Sequence, residues 1–161
     1  MRRSSGRESV SGMSRWRANL VDDDAQLTAI LREAEAVAVV GAKQDPGAPA
    51  HYVPAYLRRQ GYRVLPVNPT LSGRRLFDEP VVPTVADLPG PVDVIEVFRR
   101  PVFLPGHAAE ILALPWRPAV VWFQLGIRHD GAARQLAEAG IRVVQDRCMM
   151  PDHRRLVGER R

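Results

Sequence analysis

Five short stretches carry the side chains able to bind or transform a charged ligand. Gly41-Ala42-Lys43 joins a residue without a side chain, which lets a ligand approach the backbone, to a cation. Asn68-Pro69 offers an amide at a turn. Phe98-Arg99-Arg100 sets an aromatic ring, suited to stacking or apolar packing, beside guanidinium forks suited to phosphate. Gln124-Leu125-Gly126 presents a donor and an acceptor on one amide. Asp146-Arg147-Cys148, followed by His153, holds the parts of a nucleophilic centre: a thiol, an imidazole and a carboxylate to orient it. The five-residue spacing of Cys148 and His153 does not by itself bring them into contact, and an ordinary reduced cysteine fits as well. Each stretch also has a plainer reading. Gly41 serves as a tight turn, Asn68-Pro69 as a turn signal, Phe98 as core, and the arginines as solvated charges.

These stretches fall where strands are expected to end. Residues 37–40 form a β-branched run closed by Gly41, as in a strand buried on both faces of a parallel sheet. Tyr52, Val53, Tyr56 and Leu57 recur at helical spacing up to Gly61. Residues 63–67 read as a second strand, 92–98 as a third, 119–123 as a fourth and 141–144 as the last. Between them, Leu27, Ile30 and Leu31 mark a helix capped within residues 22–24 and ending near Glu35. Further helical stretches are expected at 107–114 and from a cap at Asp130 through Ala139. Residues 70–83 read as an excursion with at most a short strand around Leu76, and Thr84 caps one turn over 84–88. The alternation predicts an α/β, Rossmann-like, doubly wound parallel sheet of about five strands. Ligands in such sheets bind beyond the carboxyl ends of the strands, which places Gly41, Asn68, Arg99 and Gln124 on one edge.

The loops on that edge narrow the ligand. Gly41-Ala42-Lys43-Gln44-Asp45-Pro46-Gly47 is neither a G-x-G-x-x-G fingerprint nor a phosphate loop ending in G-K-[ST]. The second strand ends Pro66-Val67-Asn68-Pro69, without the acidic residue that holds a ribose 2′-hydroxyl in NAD sites. What is left is a nucleotide site lacking the NAD signature. The 161 residues, 45% hydrophobic and 25% charged, suit one globular domain, and no apolar run reaches the ~18 residues of a membrane span. Arg2 and Arg3 precede no apolar core, and Cys148 is the single cysteine, so neither a secretory signal nor an internal disulfide is expected and the cytoplasm is the expected location. The net charge of +5 lies in the tails: +4 over residues 1–17, +2 over 152–161 and −1 between them. That distribution argues against a nucleic-acid face. Residues 1–18 are expected to be a disordered basic tail, 19–156 the domain and 157–161 a basic C-terminal tail. His51, His107 and His129 suggest no metal site.

In order along the chain stand Val39-Val40-Gly41, Gly61-Tyr62-Arg63-Val64, Pro66-Val67-Asn68-Pro69, Val97-Phe98-Arg99-Arg100, Trp122-Phe123-Gln124-Leu125-Gly126, and Asp146-Arg147-Cys148 with His153, Arg154 and Leu156. Together they resemble the small stand-alone CoA-binding proteins, whose domain is similar to the N-terminal CoA-binding domain of the succinyl-CoA synthetase α subunit. The resemblance covers residues 36–156. It implies strand order 3-2-1-4-5, coenzyme A as cofactor and no particular reaction. It places the phosphates at Gly41, Ala42 and Lys43, and adenosine near Pro66, Val67, Asn68, Pro69, Phe98 and Arg99. Arg74 and Arg75 would meet the ribose 3′-phosphate that distinguishes CoA from NAD, and pantetheine would run toward Gln124, Gly126 and Cys148. Family members often carry Ser where this chain has Lys43. Two functions follow: a carrier, sensor or thiol-protecting module for CoA, with Cys148 able to form a mixed disulfide, or a small enzyme or subunit acting on an acyl-CoA thioester through Cys148 and His153. A homo-oligomer and a partner enzyme subunit both stay open.

Overall fold

A computed structural model describes residues 15–159. In chain order the elements are α1 (Asp24–Glu33), β1 (Ala36–Val40), α2 (Pro49–Arg59), β2 (Arg63–Val67), β3 (Arg75–Leu76), β4 (Glu79–Pro80), β5 (Val94–Val97), α3 (Leu104–Leu112), β6 (Val120–Phe123), α4 (Asp130–Glu138), β7 (Arg142–Val144) and α5 (Met149–Leu156). Strand alternation divides the interior in two. Ala38, Val40, Leu65, Val67, Ile95, Val97, Val121 and Phe123 point to one face, where Leu104, Ile111 and Leu136 of α3 and α4 cover them. Val37, Val39, Val64, Val94, Val120 and Trp122 point to the other, beneath Leu27 and Ile30 of α1, Val53 and Tyr56 of α2, and Met149 of α5. The β-branched runs are continuous because both faces are buried, as the sequence predicts.

The five main strands are parallel and lie in the order β2-β1-β5-β6-β7. Counted along the chain that is 2-1-3-4-5, so the order 3-2-1-4-5 is corrected. The place beside β2 is filled by a one-residue parallel bridge: Val82 donates to Pro66 O at 3.2 Å, and Asn68 donates to Val82 O at 2.9 Å. Prolines explain why it grows no longer. Pro66 lacks an N–H on the outward side of β2, and Pro80 and Pro83 flank Val82. The excursion folds instead into the β3–β4 hairpin, followed by a 3₁₀ turn, Val85–Asp87, whose Asp87 carboxylate accepts from the Thr84 N–H and hydroxyl.

Helix boundaries show three departures. Asp130 does not cap α4; His129 does, its Nδ1 accepting from the Ala132 N–H at 2.9 Å. Helix α3 begins at Leu104, before the expected 107, because Pro105 fits the first turn, where no N–H is needed. Residues 15–18, expected within the basic tail, form a helical turn, and Leu20 then bridges Val143 at the outer side of β7. The rest of that tail, residues 1–14, lies outside the described residues, as do 160–161. No helix among the described residues is long and apolar enough to cross a membrane.

Candidate functional site

The turns after β1, β2, β5 and β6 converge at the carboxyl edge of the sheet. Gly41 has φ +88°, and a Cβ there would lie 2.5 Å from the Phe98 carbonyl oxygen. The exits of β1 and β5 pass so closely that only glycine fits. Its N–H donates to Val67 O at 2.9 Å. The Lys43 N–H donates to Ala50 O at 3.2 Å, a carbonyl left without its helical donor because Pro54 stands four residues on. This turn therefore supplies shape and the exposed Lys43 ammonium, while these two N–H groups serve the fold. Asn68 ties the second turn to the first: its Nδ2 donates to Ala42 O at 2.8 Å, and its Oδ1 accepts from the Thr70 N–H at 2.9 Å and hydroxyl at 2.8 Å.

Two recesses open on this edge. One, about 130 Å³, is lined by Gly41, Val67, Asn68, Pro69, Thr84 and His107. The other, about 320 Å³, is lined by Lys43, Ala50, Phe98, Gln124, Gly126 and Ile127. Arg99 lines both. Its guanidinium lies 4.5 Å from the Phe103 ring centroid, and its buried Nε has no hydrogen-bond partner among the described residues. Burial holds the His107 imidazole below its ordinary value; the Glu110 carboxylate, 3.5 Å from Nδ1, opposes this, and the Arg99 charge adds to it. Sequence reasoning assigned His107 no role, because only the packing of α3 over the β5 exit brings it to Arg99.

The other expected site residues separate. Arg74 reaches the first turn, its Nη1 donating to Gln44 Oε1 at 3.2 Å, whereas Arg75 donates to Asp78 O within its own hairpin. Pro66 and Ala42 are buried and shape the edge from below. Cys148 is the half-buried cap residue of α5. Burial pushes its thiol up; the Met150 backbone and Gln124 side chain act against this, and the Glu96 and Asp152 charges act with it. His153 is buried and hydrogen-bonded to the Tyr56 hydroxyl at 2.8 Å. Cys148 precedes α5 in extended conformation, whereas His153 lies within the helix and its imidazole is directed to Tyr56 of α2. Asp146, expected to orient that imidazole, instead accepts from the Gly126 N–H at 2.6 Å and so fixes the β6 exit. Sequence reasoning also missed Glu96, fully buried in β5 with neither carboxyl oxygen partnered among the described residues. Burial pushes it up to about 8. A lone acid inside a strand of Val and Ile carried the signal.

Comparison with known proteins gives one consistent result. A family model described as CoA binding domain matches residues 35–154. The uncharacterized protein YneT of Bacillus subtilis (strain 168) is 33% identical over 129 residues, 80% of this chain and 93% of its own. The solved structure of cell-free ID.343 from Thermus thermophilus is 54% identical, with a TM-score of 0.80 over 84% of this chain and 99% of that one. A hypothetical protein from Pyrococcus horikoshii OT3 is 32% identical, with a TM-score of 0.79 over 85% and 94%.

Proposed function

The chain belongs to the CoA-binding domain family, and from that premise we propose that it binds coenzyme A or a CoA thioester across the two recesses at the carboxyl edge of its sheet. The observation that carries the reading is Arg99, a guanidinium shared by both recesses whose buried Nε has no partner among the described residues. An anion with several phosphate oxygens supplies the acceptors such a group needs. Lys43 on the neighbouring turn, and Arg74, which reaches that turn through Gln44, extend the positive rim for the phosphates. Phe98 and Gln124 line the larger recess, offering an aromatic surface and an amide to pantetheine, which would run toward Cys148. The chain then acts as a carrier, sensor or protector of the CoA thiol. Turnover of a thioester gains little support, because the histidine nearest in sequence to Cys148 is engaged by Tyr56.

Calorimetric titration of the reduced protein with CoA, dephospho-CoA, acetyl-CoA and NAD tests this. The expected result is saturable binding of CoA, weaker binding of dephospho-CoA, and a loss of affinity of about tenfold or more in Arg99→Met, the scale of one charge-assisted contact. No binding of CoA or its thioester, with the fold intact, overturns it.

A further inference from the structure

Below the carboxyl edge, three polar side chains are directed to one face of the sheet. Glu96 lies in the middle of β5, with Val39 and Trp122 as its Cα partners on either side. Val94, two residues before it, points to the core under α1, α2 and α5, so Glu96 does too. Gln124 follows Trp122 by two residues and continues the ladder by donating to Val97 O at 3.2 Å, which puts its side chain on the same face. Such diagonal positions on adjacent strands are about 7–8 Å apart, a gap two long side chains close. Gln124 is 3% exposed, and its Oε1, like both Glu96 oxygens, has no partner among the described residues. Cys148 is brought to the end of β6 by its neighbour Arg147, whose N–H donates to Phe123 O at 3.4 Å and whose carbonyl accepts from Trp122 Nε1 at 2.7 Å, and it packs against the same core cluster as Trp122. In line with that placement, the Gln124 amide favours its thiolate and the Glu96 charge disfavours it.

The orphaned atoms are all acceptors unless one carries a proton. A carboxylate here would be an uncompensated buried charge beside the unpaired Gln124 oxygen, whereas one added proton removes the charge and pairs two of the three oxygens. It also fixes the amide: with Oε1 turned to Glu96, the Gln124 NH₂ is the end left to face sulfur. We propose that Glu96 is a positioning residue which, as a neutral acid, donates to Gln124 Oε1, aims the Gln124 NH₂ at the Cys148 sulfur, and so makes Cys148 a proton-gated reactive thiol. When Glu96 ionises, the donor is lost and a negative charge appears beside the sulfur, so the thiol ionises less readily. The other titratable groups near this face are Asp152, paired with Arg147, whose charge also disfavours the thiolate, and His153, hydrogen-bonded to Tyr56 of α2. The residues α1 buries here are apolar: Leu27, Ile30 and Leu31.

Cys148 is the only cysteine, so alkylation by iodoacetamide reads it alone. In that reaction the thiolate forms a carbon–sulfur bond, iodide leaves, and the thiol proton passes to buffer. Rates are measured from about pH 6 to pH 10 for wild type, Glu96→Gln, Gln124→Leu and the double variant. Gln at 96 still donates to Gln124 but carries no charge at any pH, so its alkylation is expected to run about three- to tenfold faster than wild type near pH 9, the gain from half to one unit of thiol ionisation. Gln124→Leu is expected to slow alkylation and to shrink the effect of Glu96→Gln in the double variant. Profiles of wild type and Glu96→Gln that superimpose, with both folded by circular dichroism, overturn the proposal. So does an NMR titration of carboxyl-labelled wild type in which Glu96 ionises in the ordinary carboxylate range; this arm needs no variant to fold. No coenzyme enters either arm, so the outcome is separate from that of the CoA titration.

Discussion

Gly41 and Glu96 are each one atom away from a different molecule. Adding a methyl at Gly41 sets a carbon against the Phe98 carbonyl and holds an L-residue at positive φ. Gly41→Ala is therefore expected to cost about 2 kcal/mol or more, measured as a lower midpoint in urea unfolding. Gly41 was legible in sequence as a turn that needs glycine; that Phe98 imposes the need was not, because β1 and β5 are far apart in the chain. For Glu96 the prediction is one of pH. Its proton is held up to about 8 in the folded state against an ordinary value of 4.5. Between those values the unfolded chain binds fewer protons than the folded one, so stability falls as pH rises through that window and levels above it. The full fall is of order 3–5 kcal/mol. Urea unfolding at a series of pH values is expected to show this slope in wild type and to lose most of it in Glu96→Gln.

At the level of elements, the parallel strands and most helices follow from β-branched runs and helical spacing in the sequence, whereas their lateral order does not. Order depends on whether β5 joins the free edge of β1 or the outer edge of β2; it joins β1, and Pro66, Pro80 and Pro83 keep the outer edge of β2 to a one-residue bridge. The candidate site was legible at the strand exits Gly41, Asn68, Arg99 and Gln124, because each follows a recognisable strand. His107 and Glu96 were not legible as partners, since α3 packing and strand register place them. The loops hold one another through single side chains, which makes them testable. Asn68→Ala removes the hydrogen bond that joins the β2 exit to the β1 exit and two that shape the β2 exit itself, and is expected to cost about 1–3 kcal/mol and to weaken CoA binding, read by unfolding and calorimetry. Asp93 does similar work at the start of β1, its Oδ2 accepting from the Glu35 and Ala36 N–H groups, both at 2.9 Å.

Across the whole molecule, the segment before α1 belongs to the folded body. Trp16 packs against the core between the guanidinium groups of Arg17 and Arg134, at 4.7 and 4.8 Å from its ring centroid. Asn19 Nδ2 donates to Ala137 O at 2.9 Å, and Val143 donates to Asn19 O at 2.8 Å. Trp16→Ala is expected to lower stability by about 2 kcal/mol, seen as a lower thermal midpoint. Composition hid this: an arginine- and serine-rich start reads as tail, and a single tryptophan in it carries no periodic signal. The same segment has a counterpart across the molecule. Leu20 bridges the outer side of β7 as Val82 bridges the outer side of β2. Each pairs two backbone groups of its rim and so shortens the edge that could template a foreign strand. A strand added beside β2 or β7 would have to displace one of these bridges, which makes both rims poor templates for sheet extension by another copy of this chain.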